Sequence, residues 1–272
     1  MAHATLVAMV RPPRRRLTVV GAGYVGLVTG VGLAGLGHAV EIVETRADRL
    51  DALRAGVVPI HEAGLQAAFD DVRASGMLTV SDRPTGDPDA ALVCVGTPIG
   101  PDGRSDLSQL RSALASLDAQ LASGVPLVIR STLPPGSTRR AVEWAGVPEA
   151  RVLTNPEFLR QGTALHDFLH PSRIVVGRAA TADPSTVQLV VDLFDGIEAP
   201  RMVVDIAAAE LIKNGANAFL ALKLSFTNEM SALAEAYGTD VDDVLTGITA
   251  DPRIGAQHMR PSFGFGGSCL PK

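Results

Sequence analysis

The sequence predicts an α/β protein, a doubly wound parallel sheet followed by a long helix that pairs two copies of the chain. Three observations carry that expectation. Short β-branched runs alternate with helical stretches from Leu17 onward, the pattern of a parallel sheet with helices on both faces. A glycine-rich turn, "GAGYVG" at 21–26, joins the first such strand to the first helix. The stretch "IAAAELIKNGANAFLALKLSFTNEMSALAEAYG" at 206–238 is Ala- and Leu-rich and reads as one helix. A helix of that length and character needs its apolar face buried on both a domain and a partner.

The elements follow in order. "MAHATLVAMVRPPRRR" places its basic residues after a weakly apolar stretch, the reverse of a signal peptide. Residues 1–16 are therefore expected to be a disordered leader. "LTVVGAG" is a strand ending in glycines, and "YVGLVTGVGLAGLG" is a helix stopped at Gly37. "AVEIVE" is the second strand. "RADRLDALRAG" and "EAGLQAAFDDVRASG" read as helices, and "MLTVS", "AALVCVG" and "PLVIRST" as strands with helical stretches between the later ones. "RVLTNP" and "SRIVVG" are two further strand-like segments. After the long helix, "TDVDDVLTGI" reads as a short helix capped by Thr239 or Asp240. The expected division is a cofactor domain over 17–205 and a central helical region over 206–272.

Composition limits the function. Hydrophobic residues are 46% of the chain, enough for a sizeable core, and the net charge of −5 excludes a globally basic nucleic-acid binder. No apolar run approaches the ~20 residues a membrane span requires. The two cysteines, Cys94 and Cys269, stand far apart and form neither a disulfide framework nor a CxxC metal pair. A reducing, cytoplasmic setting and no metal site are expected.

Gly21, Gly23 and Gly26 have the G-x-G-x-x-G spacing, after a strand and opening a helix. In that Rossmann-like context Gly21 permits the turn, Gly23 lets a pyrophosphate reach the backbone, and Gly26 lets helix and strand pack closely. The helix N-terminus adds N–H groups and partial positive charge. Glu44, at the end of the second strand, is placed to accept from the ribose hydroxyls and repel a 2′-phosphate, which favours NAD over NADP. Arg46 and Arg49 follow closely and count towards NADP.

The chemistry signal is scattered. Cys94 lies in a strand-like run and reads as structural. Cys269 sits in "FGFGGSCLPK", where Phe263, Gly264, Phe265, Gly266 and Gly267 form a loop that admits a ligand to the backbone and Lys272 follows. A nucleophilic thiol needs an exposed, electropositive site. Lys213 and Asn217 share a helix face at i, i+4. Taken alone, Lys213 reads as a surface residue with its stem along the helix; alternatively it aims an ammonium at a developing oxyanion. Glu157 and Thr132 lie on loops beyond strands, where chemistry sits in this fold class.

Together the segments "GAGYVGLVTG", "CVGTP", "RSTLPPG", "NPEFLRQGTA", "AELIKNGANAFLALKLSFTNEMSALAE", "DPRIG" and "FGFGGSCLPK" resemble one family in order, the UDP-glucose/GDP-mannose dehydrogenases. The resemblance implies oxidation of the C6 alcohol of a nucleotide sugar to a carboxylate, with two NAD in turn and a cysteine-bound thiohemiacetal and thioester between. Cys269 then matches the nucleophile, Lys213 the oxyanion stabiliser and Asn217 its partner. Glu157 and Thr132 match residues that position the hydrolytic water and aid proton transfer. Tyr24, Val25, Arg49, Thr97 and Thr132 join the three glycines and Glu44 as cofactor contacts. Phe158, Leu159 and Arg160 fall in the substrate loop, with Phe265 and Gly266 also facing substrate, and Arg253 matches an arginine that crosses a homodimer interface. UDP-glucose is the expected substrate; a UDP-N-acetylhexosamine or GDP-mannose is the alternative. The chain departs from the family in having Gln161 where a Glu is frequent. Read as ending at Lys272, it is expected to want the aspartate of the acid–base chemistry that follows in the family and the C-terminal nucleotide-binding domain. A truncated NAD-binding, dimerising module without catalysis is the competing expectation.

Overall fold

The computed structural model describes residues 15–263. Leading strands and helices run β1 (Arg16–Val20), α1 (Tyr24–Gly35), β2 (Ala39–Val43), α2 (Ala47–Arg54), α3 (Leu65–Ala74), β3 (Leu78–Ser81) and β4 (Ala90–Val93). Next come α4 (Ser108–Ser116), α5 (Asp118–Ala122), β5 (Leu127–Ile129), α6 (Ser137–Ala145) and β6 (Val152–Thr154). The chain continues through α7 (Ala164–Leu169), β7 (Ile174–Arg178), α8 (Pro184–Asp192), β8 (Arg201–Asp205), α9 (Ile206–Tyr237) and α10 (Val241–Thr249).

The eight strands form one sheet in the order β3-β2-β1-β4-β5-β6-β7-β8. Its central strands are buried almost throughout, as expected for a parallel sheet covered on both faces. One apolar cluster packs α1, α3 and α7 on one face around Leu27, Leu33, Phe69 and Phe168; a second packs α4, α5 and α6 on the other around Leu110, Leu114 and Ile129. The strand order reverses at β1/β4, the kind of switch point at whose carboxyl edge open α/β sheets bind ligands.

Two features correct the sequence expectation. The sheet is not wholly parallel: β6 and β7 pair antiparallel, with Thr154 opposite Gly177. An antiparallel neighbour starts at the edge where its predecessor ends. The segment from Asn155 to Arg173 therefore stays at the carboxyl edge instead of crossing over, which holds Glu157 there. The second is β8, which the sequence did not announce. It is a largely exposed edge strand paired with β7 alone, so it lacks the burial pattern that marks the others.

The long helix ends one residue before expected, at Tyr237, with Gly238 as a left-handed cap (φ +65°). Its start is capped by Asp205, which accepts from Ala208 N–H at 2.8 Å. From β8 it turns back over β7 and β6. A Cβ at Gly177 would stand 2.7 Å from Ala209 Cβ, so a side chain on that strand would push α9 off the sheet. Asp240 caps α10, accepting from Asp242 N–H at 2.8 Å. Lys223 ties the "DPRIG" turn to α9 through the Ile254 carbonyl at 3.0 Å. The outer face of α9 leaves Leu211, Phe219, Leu222, Phe226, Leu233 and Tyr237 exposed. Among the described residues no helix is long and apolar enough to cross a membrane.

Candidate active site

Gly21 turns the chain out of β1 with φ +98°, a conformation that favours glycine. A Cβ there would meet the Cys94 carbonyl oxygen at 3.0 Å, and a Cβ on Gly26 would lie 1.7 Å from the Gly21 oxygen. These two glycines serve protein packing. Gly23 does not: its backbone (φ −74°, ψ −170°) suits any residue, and a Cβ there would find only Arg49 Nη1, at 3.8 Å, within 4 Å. What glycine leaves at 23 is open space over the N-terminus of α1, beside a guanidinium. That space fits a dinucleotide pyrophosphate.

Glu44 is buried directly after β2. Its Oε2 accepts from Ala22 N–H at 3.2 Å and its Oε1 from Arg46 N–H at 2.8 Å, which clamps the carboxylate against the glycine turn. The Arg46 guanidinium turns away to Asp48 at 2.6 Å. Val25 is half-buried in the first turn of α1. The Tyr24 hydroxyl donates to Glu62 at 2.6 Å, so it is already engaged within the protein. Thr97, buried beyond β4, donates to the Thr132 carbonyl at 2.7 Å, so the ends of β4 and β5 are stitched together at the carboxyl edge.

The second group of candidate residues is gathered by α9. Lys213 is buried, not on the surface, and its Nζ lies 3.2 Å from Glu157 Oε1, with the two side chains 5% and 2% exposed. Glu157 Oε1 also stands 3.5 Å from Thr132 Oγ1, and Oε2 accepts from Leu159 N–H at 2.6 Å. The Phe158 ring covers the ammonium at 5.2 Å to its centroid. Lys213, Glu157, Thr132 and Phe158 thus meet in one cluster, brought from α9, the loop after β6 and the end of β5. Asn217 follows one turn along α9, half-buried.

Other expected residues stand further out. Arg160 is pinned to Asp167, with Nη2 to Oδ1 at 2.6 Å, and burial of Asp167 is outweighed by these bonds, which hold its carboxyl below the usual range. Gln161 is exposed next to it. Arg253 is exposed and bonded to Asp251 of its own chain at 2.6 Å. Cys94 is buried, and burial first, with the charge of Glu157 adding, pushes its thiol up to about 12, which leaves it inert at neutral pH. Cys269, Phe265, Gly266 and Lys272 lie outside the described residues. No group of three or more His, Cys, Asp or Glu side chains able to hold a metal ion occurs among the described residues.

Sequence reasoning missed the residues that place the cluster. Buried Glu210 accepts from Gly136 N–H at 2.6 Å and from Thr138 N–H at 2.9 Å, fastening α9 to the N-terminus of α6. Asn214 Nδ2 donates to the Leu133 carbonyl at 2.8 Å. These bonds fix the helix turn from which Lys213 points. Arg130, fully buried, donates to Thr29 Oγ1 at 2.8 Å and to Asn155 Oδ1, linking α1 to the strand end that precedes Glu157. A Glu in "AAAELIKN" amid small apolar residues was the available signal for Glu210.

Comparison with known proteins identifies the family. Residues 15–197 match the model of the UDP-glucose/GDP-mannose dehydrogenase family, NAD binding domain, and residues 207–272 match the central domain of the same family. The chain is 38% identical over 267 residues to UDP-glucose 6-dehydrogenase YwqF of Bacillus subtilis, covering 94% of this chain and 59% of that protein. A UDP-glucose dehydrogenase structure from the hyperthermophilic archaeon Pyrobaculum islandicum superposes with a TM-score of 0.88 at 37% identity, over 98% of this chain and 63% of that one. The ternary complex of GDP-mannose dehydrogenase from Pseudomonas aeruginosa superposes at 0.80 with 32% identity, over 94% and 62%. The chain thus spans about three fifths of the length of the curated relatives it matches.

Proposed function

Because the chain belongs to the UDP-glucose/GDP-mannose dehydrogenase family, with its NAD-binding and central domains, we propose that it serves the four-electron oxidation of a nucleotide sugar at C6, with UDP-glucose the substrate. The observation that carries this reading is the buried Lys213–Glu157 pair beside Thr132, at the sheet edge that also holds the glycine cradle. The relatives at 37–38% identity bear the UDP-glucose name, whereas the GDP-mannose enzyme stands at 32%. We assign 17–205 to cofactor binding and 206–272 to the central region.

Bound NAD supplies the hydride acceptor for both oxidations. Gly23 and the first turn of α1 receive its pyrophosphate, and Glu44 receives its ribose. Lys213 brings a desolvated ammonium to the oxygen of the reacting carbon, where an alkoxide gains most from it. By the resemblance, Cys269 adds its sulfur to the aldehyde carbon, and the carbonyl oxygen takes a proton to give a thiohemiacetal. Loss of hydride and proton from that adduct leaves a thioester. Glu157 and Thr132 orient water onto the thioester; the C–S bond breaks, the carboxylate leaves and the thiol regains its proton. Asn217 supports the oxyanion beside Lys213. A reaction that depends on a free thiol fits the reducing cytoplasm.

We further propose that the exposed apolar face of α9 is covered by a second copy of the chain, with Arg253 reaching the neighbouring site. Lone exposed side chains are ordinary, but six large ones along one helix form a patch monomers rarely tolerate. The test is NADH formation by the full-length protein with UDP-glucose, UDP-N-acetylmannosamine and GDP-mannose. UDP-glucose is expected to give two NADH per sugar and Lys213→Ala to abolish them. No NADH from any of the three would overturn the reading.

A further inference from the structure

The segment that follows Glu157 has few ordinary backbone partners. Its N–H groups are taken up instead by carboxylates. Leu159 N–H goes to Glu157 at 2.6 Å, Arg160 N–H to Asp167 at 2.9 Å, and Gly162 and Ala164 N–H to Glu62 at 2.9 and 2.7 Å. Glu157 and Asp167 belong to the loop and to α7. Glu62 comes from elsewhere, from the turn "PIHEAG" between α2 and α3. It is 7% exposed. Burial raises the cost of its charge, and the bonds from Tyr24, Gly162 and Ala164 outweigh that cost and hold its carboxyl below the usual range.

The third donor to Glu62 is the Tyr24 hydroxyl at 2.6 Å, and the same hydroxyl lies 3.0 Å from the Arg160 carbonyl. Tyr24 is the first residue of α1 and follows Gly23, the glycine whose missing side chain leaves room for a cofactor. One buried carboxylate therefore joins the first turn of the cofactor helix to residues 160–164. Bonds to an ionised acceptor are the strong kind and hold geometry.

We propose that Glu62 is a positioning residue: through Tyr24 it ties the substrate-loop segment 158–164 to the first turn of α1, so that occupancy of the Gly23 cradle sets where that loop stands. This rests on the reading of the loop as substrate-facing, and it predicts that NAD alone firms the loop before any sugar arrives. A Glu62 that merely capped α7 would hold Gly162 and Ala164 equally with and without NAD.

Hydrogen–deuterium exchange of a peptide spanning 158–165, with and without saturating NAD, separates the two. In the wild-type chain NAD slows exchange at Gly162 and Ala164. In Tyr24→Phe the cap remains but the link is cut, so the NAD-free rate stays near wild type and the NAD-dependent slowing disappears. In Glu62→Ala the NAD-free rate rises about tenfold, the effect of losing bonds to a charged acceptor. Should Glu62→Ala fail to fold, Tyr24→Phe decides alone. Calorimetry on the same samples keeps two failures apart. No NAD binding at all would overturn the cofactor reading and this one with it. Binding with no loop response in the wild type, or with an undiminished response in Tyr24→Phe, would overturn this inference alone.

Discussion

Replacing Gly23 by Ala isolates the cofactor's demand for glycine from the fold's. The substitution adds one methyl where the backbone is extended and the nearest heavy atom is Arg49 Nη1, 3.8 Å away. Two small effects on stability oppose each other. A less flexible unfolded chain gains ~0.4–1 kcal/mol, and Ala is a poorer N-cap than Gly by roughly 0.5–1 kcal/mol. The net change is within about 0.5 kcal/mol, or ~1–2 °C in Tm for a chain of this size. Binding is another matter, because the methyl stands where a pyrophosphate must approach. Overpacking of one methyl costs ~1–3 kcal/mol, so NAD affinity falls by roughly 5- to 150-fold. Gly26→Ala is the matched control. Its Cβ would lie 1.7 Å from a backbone oxygen, which cannot swing aside as a side chain can. That variant loses about 3 kcal/mol or more, or ~6–12 °C. Thermal melts and calorimetric NAD titrations of both proteins make the comparison. A Gly23→Ala protein that binds NAD within twofold of wild type would refute the placement of the cofactor, as would one that melts as low as Gly26→Ala.

Four further outcomes follow from the structure. Calorimetric titration gives tighter NAD than NADP for the wild type and a narrowed gap for Glu44→Ala; equal wild-type affinities would remove Glu44 from the ribose. Lys213→Ala strands a buried carboxylate on Glu157 and lowers stability by ~3–5 kcal/mol in denaturant melts, as breaking a buried pair does. Light scattering reports a dimer for the wild type and a monomer for a Phe219→Glu/Leu222→Glu double variant, since both side chains sit on the open face of α9. Stability declines in acid in two stages. Burial lowers the folded pKa of His38, so the unfolded chain binds the extra proton and stability falls as pH drops below ~6.5. Asp167 and Glu62 have depressed folded values, so their contribution is present above ~pH 4 and is lost as pH falls through those values. Melting temperatures across that range, with His38→Gln flattening the upper stage, check the assignment.

Much of the fold was legible because its signals are local. The strand runs from Leu17 to the β7 segment, the glycine stop of α1 at Gly37 and the Asp240 cap all lie within a few residues of the feature they specify. Two things were not legible. Periodicity says that "SRIVVG" is a strand and nothing about which way it runs; direction is set by the connection from Asn155 to Arg173, which keeps to one edge of the sheet. β8 hid for the opposite reason, since an edge strand with exposed Met202 and Val203 has no buried face to leave a pattern.

The site divides along the same line. The glycine turn, helix start and Glu44 could be placed together because they belong to one strand–helix–strand unit. The Lys213–Glu157–Thr132 cluster joins residues far apart in sequence, and its lysine carries a misleading local signal. Beside alanines and leucines, Lys213 looks like a solvated lysine. It is buried because α9 is held down at several points around it. Gly177 lets the helix sit close to the sheet, Asn214 holds the Leu133 carbonyl, and Glu210 gives its own buried carboxylate to the Gly136 and Thr138 amides. With the helix fixed, the lysine ammonium is held away from water, 3.2 Å from Glu157 Oε1. The ammonium is therefore desolvated and aimed by bonds made a turn away from it. Substitution at Glu210 should accordingly loosen the aim of Lys213 although it touches no reacting atom, because the preorganisation of a charge is a property of the scaffold that holds it.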